Sequence, residues 1–255
     1  MPKDNHLTIA AIAILAYLLA DVAHHAFGHG AACILLGGHI NLLSSIFVNC
    51  SLTGSAIDLA GPVANFILGV VALALIPLVG RTSSSNRLFL TLVAAFNLFW
   101  LWLQLAANAA TMTDDWAWPM KQLRINGIGQ YAMVAAGIAG YLFTIRMVAK
   151  QLASFSIPVA RVRIIVMVAL ISAGIIATVT AAFDPHATEA ILRHALPQSL
   201  LSSIGLLFVP SRASRCSSSD DVANPVPFSL FWVITAALSA LASVVLLGAG
   251  IAFKA

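Results

Sequence analysis

Asp21-Val22-Ala23-His24-His25-Ala26-Phe27-Gly28-His29-Gly30 lies inside a long apolar run that otherwise reads as a membrane span. Ionisable side chains are costly in hydrocarbon, so a cluster of one carboxylate and three imidazoles marks a functional site by default. His25 and His29 are four apart, and α-helical spacing puts both imidazoles on one face, one turn apart. Two imidazoles so placed supply two of the three protein ligands of an open zinc site. His24 is turned about 100° from that pair and reads as a packing or interhelical contact. Asp21, four before His25, is placed to hold its free ring nitrogen or to bond His24.

The rest of the chain fixes the setting. Its 255 residues are 60% hydrophobic and 9% charged, with a mean hydropathy of +0.97. So little charge cannot cover the surface of a water-soluble domain, and the chain reads as an all-α polytopic membrane protein. The net charge of +4 does not point to nucleic acid, because the basic residues stand singly at the ends of apolar runs. Cys33, Cys50 and Cys216 lack metal-ligand spacing; the odd count leaves at most one disulfide, and free thiols are the expectation.

Six runs approach the roughly 20 residues a helical span needs. They are Leu7 to Leu36, Leu59 to Val79, Leu88 to Met112, Ile128 to Ala149, Ile164 to Phe183 and Phe228 to Phe253. The first reads as a retained span ending at Gly37-Gly38. The segment from Gly38 to Ser55 carries strand-favouring Ile40, Leu42, Ile46 and Val48, which suggests a short membrane-edge hairpin. Asp184 to Val226 reads as a long loop, with an interfacial helix through Ala195 whose polar face holds His186, Glu189 and His194. Pro197 to Pro210 is too short to span, and Ser211 to Pro227 reads as mobile. Six spans put Lys3, Arg81, Arg87, Arg146, Lys150, Arg161, Arg163 and Lys254 on one side, which places both termini in the cytoplasm.

The third run carries Asn97, Gln104 and Asn108, and Asp114-Asp115 follow it. At about 100° per residue, Gln104, Asn108 and Asp115 all fall within about 20° of Asn97, whereas Asp114 is about 100° off. This polar stripe leads to Asp115, and a carboxylate completes a two-His site. Spans one and three run in the same direction, so Asp115 should lie at the depth of His25 and His29. Asp58 most simply caps the second span.

These residues resemble the site-2 protease family of membrane-embedded zinc metallopeptidases. His25-Ala26-Phe27-Gly28-His29 is similar to the family's His-Glu-x-x-His, Gly61-Pro62-Val63-Ala64-Asn65 to its Gly-Pro-x-x-Asn element, and Asp114-Asp115-Trp116 stands where its third ligand falls. The likeness covers about residues 7–118 as a metalloprotease-like core; residues 128–255 add helices without a matching motif. It implies Zn2+ on His25, His29 and Asp115, with Asp114 as alternate, in a protease acting on membrane-anchored peptides. Asn65 or Asn108 would position the substrate. Ala26 stands at the position of the general-base Glu, which implies a chain that holds metal and substrate yet cleaves negligibly. The alternative is a non-enzymatic membrane protein, either a pseudoprotease that binds clients or a metal transporter.

Overall fold

The computed structural model describes residues 4–80, 83–153, 159–213 and 224–253. Six helices are long and apolar enough to cross a membrane: α1 (His6–Leu35), α2 (Ser55–Leu78), α3 (Ser84–Thr111), α5 (Ile128–Ala153), α6 (Val159–Ala181) and α8 (Leu230–Gly248). A short α4 (Asp114–Gln122) follows α3. Strands β1 (Ile40–Leu43) and β2 (Val48–Cys50) form the expected hairpin, and β3 (Ile251–Ala252) adds to the other edge of β1.

The element α7 covers residues 187–213 as successive turns of α-, π- and 3₁₀-helix. Where the sequence suggested an interfacial helix and a loop, this segment runs the depth of the bundle. Near its start, Arg193 and His194 share a cavity with Gln104 and Asn108 at the end of α3. Midway, the Tyr141 hydroxyl donates to Ser202 O at 2.8 Å. At its end, Val209 and Ala213 are buried in one core with Leu152 and Val162. Its serines reduce the segment's hydropathy yet bond their own helix: Ser199 Oγ donates to Ala195 O and Ser202 Oγ to Gln198 O.

This crossing changes the direction of α8, which runs parallel to α1. Asn5 N donates to Val226 O at 2.8 Å and Ser229 N to Thr8 Oγ1 at 3.1 Å. At the far end, Leu42 pairs with Ala252 and Leu43 with Ile251. The described residues at the two ends, Asp4 and Phe253, therefore lie at opposite ends of α1. Lys3, Arg81, Arg215, Cys216, Lys254 and most of the stretch read as mobile lie outside the described residues.

α1 and α3 form the centre. Ile9, Ile12, Leu88, Leu92, Phe96 and Phe99 are fully buried and share one apolar core with residues of α5 and α6. α1 begins cleanly, because Asn5 Oδ1 accepts from Thr8 N at 2.9 Å. It stops at Gly37, whose φ of 85° suits a residue without a side chain. The hairpin then folds back and brings Cys50 to Cys33, with Cα atoms 5.9 Å apart, and the two form a disulfide. The free-thiol expectation fails for this pair because spacing in sequence does not reveal a hairpin's return. Asp58 does not cap α2; Gly54 holds that position, and Asp58 lies in the first turn.

Candidate metal centre

The His-rich stretch is not α-helical. Ala23–Gly30 forms a π-helix within α1, with α-helix on both sides. Bonding from i to i+5 brings residues five apart, rather than four, over one another, and such segments recur at functional sites. The pair that meets is therefore His24 and His29, with their Nε2 atoms 3.1 Å apart. Gly28 and Gly30 make this stretch compliant. Gly28 also lets α2 approach, since a methyl there would strike Gly61 Cα and Ala60 O.

Asp115 closes the group. Its Oδ2 lies 3.1 Å from His24 Nε2 and its Oδ1 3.4 Å from His29 Nε2. The carboxylate reaches back because the turn after α3 uses left-handed backbone at Met112 (φ 55°) and Asp114 (φ 54°). Gln104 Nε2 donates to Asp115 Oδ2 at 2.7 Å, and Asn108 Nδ2 donates to Asp114 Oδ2 at 3.2 Å. Burial alone would push the Asp115 carboxyl up, but hydrogen bonds from His24 and His29 hold it well below the usual carboxylate range. Burial and the neighbouring Asp115 charge push Asp114 above it.

The cluster is one that could hold a metal ion. His29 Nδ1 donates to Ile57 O at 2.7 Å, which leaves its Nε2 lone pair turned towards His24 and Asp115. Ligands on a tetrahedral zinc stand roughly 3.3 Å apart, given bonds of about 2.0–2.1 Å. The three separations here, 3.1, 3.1 and 3.4 Å, match that spacing. His25 lies close by: ligand atoms of His24, His25 and His29 all fall within 4.8 Å of one another. Both His25 ring nitrogens lack a hydrogen-bond partner, and its Nε2 is 3.8 Å from Asp21 Oδ1.

Packing holds the imidazoles in place. Trp100 stacks on His24 with ring centres 4.5 Å apart and planes 15° from parallel. Gly61 faces both rings, and a methyl there would run into His29 Nε2. Asn65, one turn further along α2, is fully buried with both amide atoms unpartnered. Asn97 donates to Val93 O on its own helix and takes no part in the group. A cavity of about 410 Å³ adjoins the cluster between α3 and α7, lined by Trp100, Gln104, Asn108, Asp114, Arg193 and His194.

The structure thus unites His29, Asp115 and Gln104 as the stripe suggested, and keeps Asp114 beside them on Asn108. It sets Ala26 half-buried on the same π-turn. Sequence reasoning did not bring His24 to His29 and Asp115, nor Gly61 against both rings. The signal for His24 was its five-residue spacing to His29, which only a π-helical register makes meaningful. Together these features describe a polytopic helical membrane protein with a buried His–Asp cluster able to hold a metal ion. Comparisons with family models, curated proteins and solved structures found no match to the chain.

Proposed function

We propose that this protein is a membrane-embedded zinc metallopeptidase of the site-2 kind, with His24, His29 and Asp115 as ligands. The observation that carries this reading is the meeting of two imidazole nitrogens and one carboxylate within 3.4 Å inside a membrane bundle. A bound zinc ion would supply Lewis-acid activation of water and of a peptide carbonyl. Gln104 fixes the Asp115 carboxylate and Ile57 O fixes the His29 tautomer. The cavity between α3 and α7, lined by Gln104, Asn108 and Asp114, is where a peptide from a membrane-anchored protein would be held beside the cluster.

The register also changes the reading of the base. If His24 is the first ligand, the residue that follows it is His25, not Ala26. His25 is buried and both its nitrogens are free of partners, so its imidazole is placed to accept a proton from an attacking water. The expectation of an inert centre rested on Ala26, and the π-helical register moves that position by one residue. In proteoliposomes, the unmodified chain should cleave a single-span membrane protein in a chelator-sensitive way. His25→Ala should lower the rate roughly 10²- to 10⁴-fold while zinc stays bound. Equal rates in the two proteins would remove His25 from this role.

The proximity of His25 to the other two imidazoles also favours a second reading. With His25 as a fourth ligand the site would be closed, as in structural zinc centres, and the protein would be non-enzymatic. Zinc loss from His25→Ala, with no cleavage by any form, would select it.

For orientation, Arg87, Arg146, Lys150, Arg161, Arg163 and Arg212 gather at the N-terminal end of the bundle, against Lys121, Arg124 and Arg193 at the other. Seven crossings thereby support a cytoplasmic N-terminus and a metal centre towards the opposite face. The Cys33–Cys50 disulfide at that face suits an oxidising compartment. Leu52 is exposed just past β2. Membrane-impermeant labelling of Leu52→Cys from outside the cell would support this orientation; labelling only after permeabilisation would invert it.

A further inference from the structure

Asp21 lies outside the ligand set, yet it is a carboxylate only 2% exposed in the middle of a membrane span. Its Oδ1 has no hydrogen-bond partner. It borders a small cavity of about 10 Å³, lined by the hydroxyl-bearing Tyr17, Ser45, Thr180 and Ser243 and by apolar side chains such as Leu18 and Ile46. That is about the space of one water-sized particle. The hydroxyls come from four separate elements: α1, the hairpin turn, α6 and α8. Thr180 Oγ1 and Ser243 Oγ are 3.4 Å apart, and Ser45 is anchored by its backbone N to Leu247 O at 3.1 Å.

A carboxylate in hydrocarbon with no hydrogen bond at Oδ1, and only the neutral His25 ring 3.8 Å away, costs several kcal/mol or more. A proton would neutralise it but would leave the cavity beside Ser45, Thr180 and Ser243 unfilled. A water molecule would meet the hydroxyls but would leave the charge. A small cation does both, and an all-oxygen ligand set suits a hard one. One carboxylate balances one positive charge, so the ion is monovalent. The geometry points to a site for a single Na+ ion held by Asp21 with Ser45, Thr180 and Ser243, separate from the zinc ligands. It ties α1, α6, α8 and the hairpin together beneath the metal centre, next to His25.

The test is thermal unfolding of the purified, zinc-loaded full chain, with NaCl exchanged for choline chloride at constant ionic strength. Zinc content is measured on the same samples. A ligand that binds only the folded state raises the midpoint in proportion to the logarithm of its concentration above Kd. The midpoint should rise with Na+ and not with choline. Asp21→Asn should abolish the dependence, and Thr180→Val with Ser243→Ala should weaken half-saturation about tenfold, with zinc content unchanged in this double variant. Identical midpoints in Na+ and choline would overturn the site, as would a Na+ response that survives in Asp21→Asn. The readout does not depend on peptidase activity: absent zinc with a retained Na+ response would count against the metal centre alone.

Discussion

The two halves of α1 are built on different principles. Up to Val22 the helix is regular, capped by Asn5, and buries small apolar residues such as Ala13, Ala16 and Ala20 against its neighbours. From Ala23 to Gly30 the same helix widens into a π-turn and buries three imidazoles instead. In the first half, position is set by close packing, which tolerates no side-chain choice beyond size. In the second, glycines at 28 and 61 and the stacked Trp100 set the angles of polar rings. The lesson is that hydropathy predicts where a span runs, but not the local helical register at which its polar side chains meet.

Changes in the residues packed around the widened half should have the largest effects. Asp115→Ala removes the carboxylate that faces both ring nitrogens, and elemental analysis of the purified protein should find zinc lost. Gly61→Val should come close to that effect without touching a ligand, because the added side chain displaces the His29 ring; its zinc affinity should fall at least 100-fold in a competition titration with a chelator. Gln104→Leu keeps the helix and removes the donor to Asp115, so affinity should fall about 10- to 100-fold by the same assay.

The remaining tests address the scaffold and should leave the metal in place. Cys33→Ser opens the 17-residue link between α1 and β2 and should lower unfolding stability by about 3 kcal/mol with zinc retained. At the other end of α1, Arg161 bonds both Asp4 oxygens at 2.7 Å. Burial would raise the Asp4 carboxyl, but Arg161 and the Val226 amide hold it below its ordinary value of 3.8. A carboxylate with a lowered folded-state pKa stabilises above its unfolded value and loses that contribution as pH falls through the folded one. Stability should therefore drop below about pH 4, and Asp4→Asn should flatten this part of the pH profile by no more than about 1 kcal/mol.

Much of the fold was legible because six runs are unambiguously apolar, and the hairpin's β-branched residues stand out between two of them. The long helix α7 was not, because Arg193, Pro197 and the serines of 199–203 dilute its hydropathy; their polar atoms are satisfied within the helix itself, Ser199 on Ala195 O, Ser202 on Gln198 O and Arg193 on Glu189. For the centre, His29, Asp115 and the shared depth of spans one and three could be read from the chain. His24 could not, because a 100° step per residue turns it away from His29, and only the π-turn returns it. The Cys33–Cys50 bond and the seat at Gly61 are both long-range contacts with no local pattern.

The central claim is that the register of the π-turn makes His24, with His29, the metal-binding pair. Zinc stoichiometry of purified His24→Ala and His25→Ala, compared side by side with the unmodified chain, tests it most directly. The account predicts about one equivalent in the unmodified protein and in His25→Ala, and almost none in His24→Ala. Zinc retained by His24→Ala and lost from His25→Ala would contradict it and restore the four-residue pair.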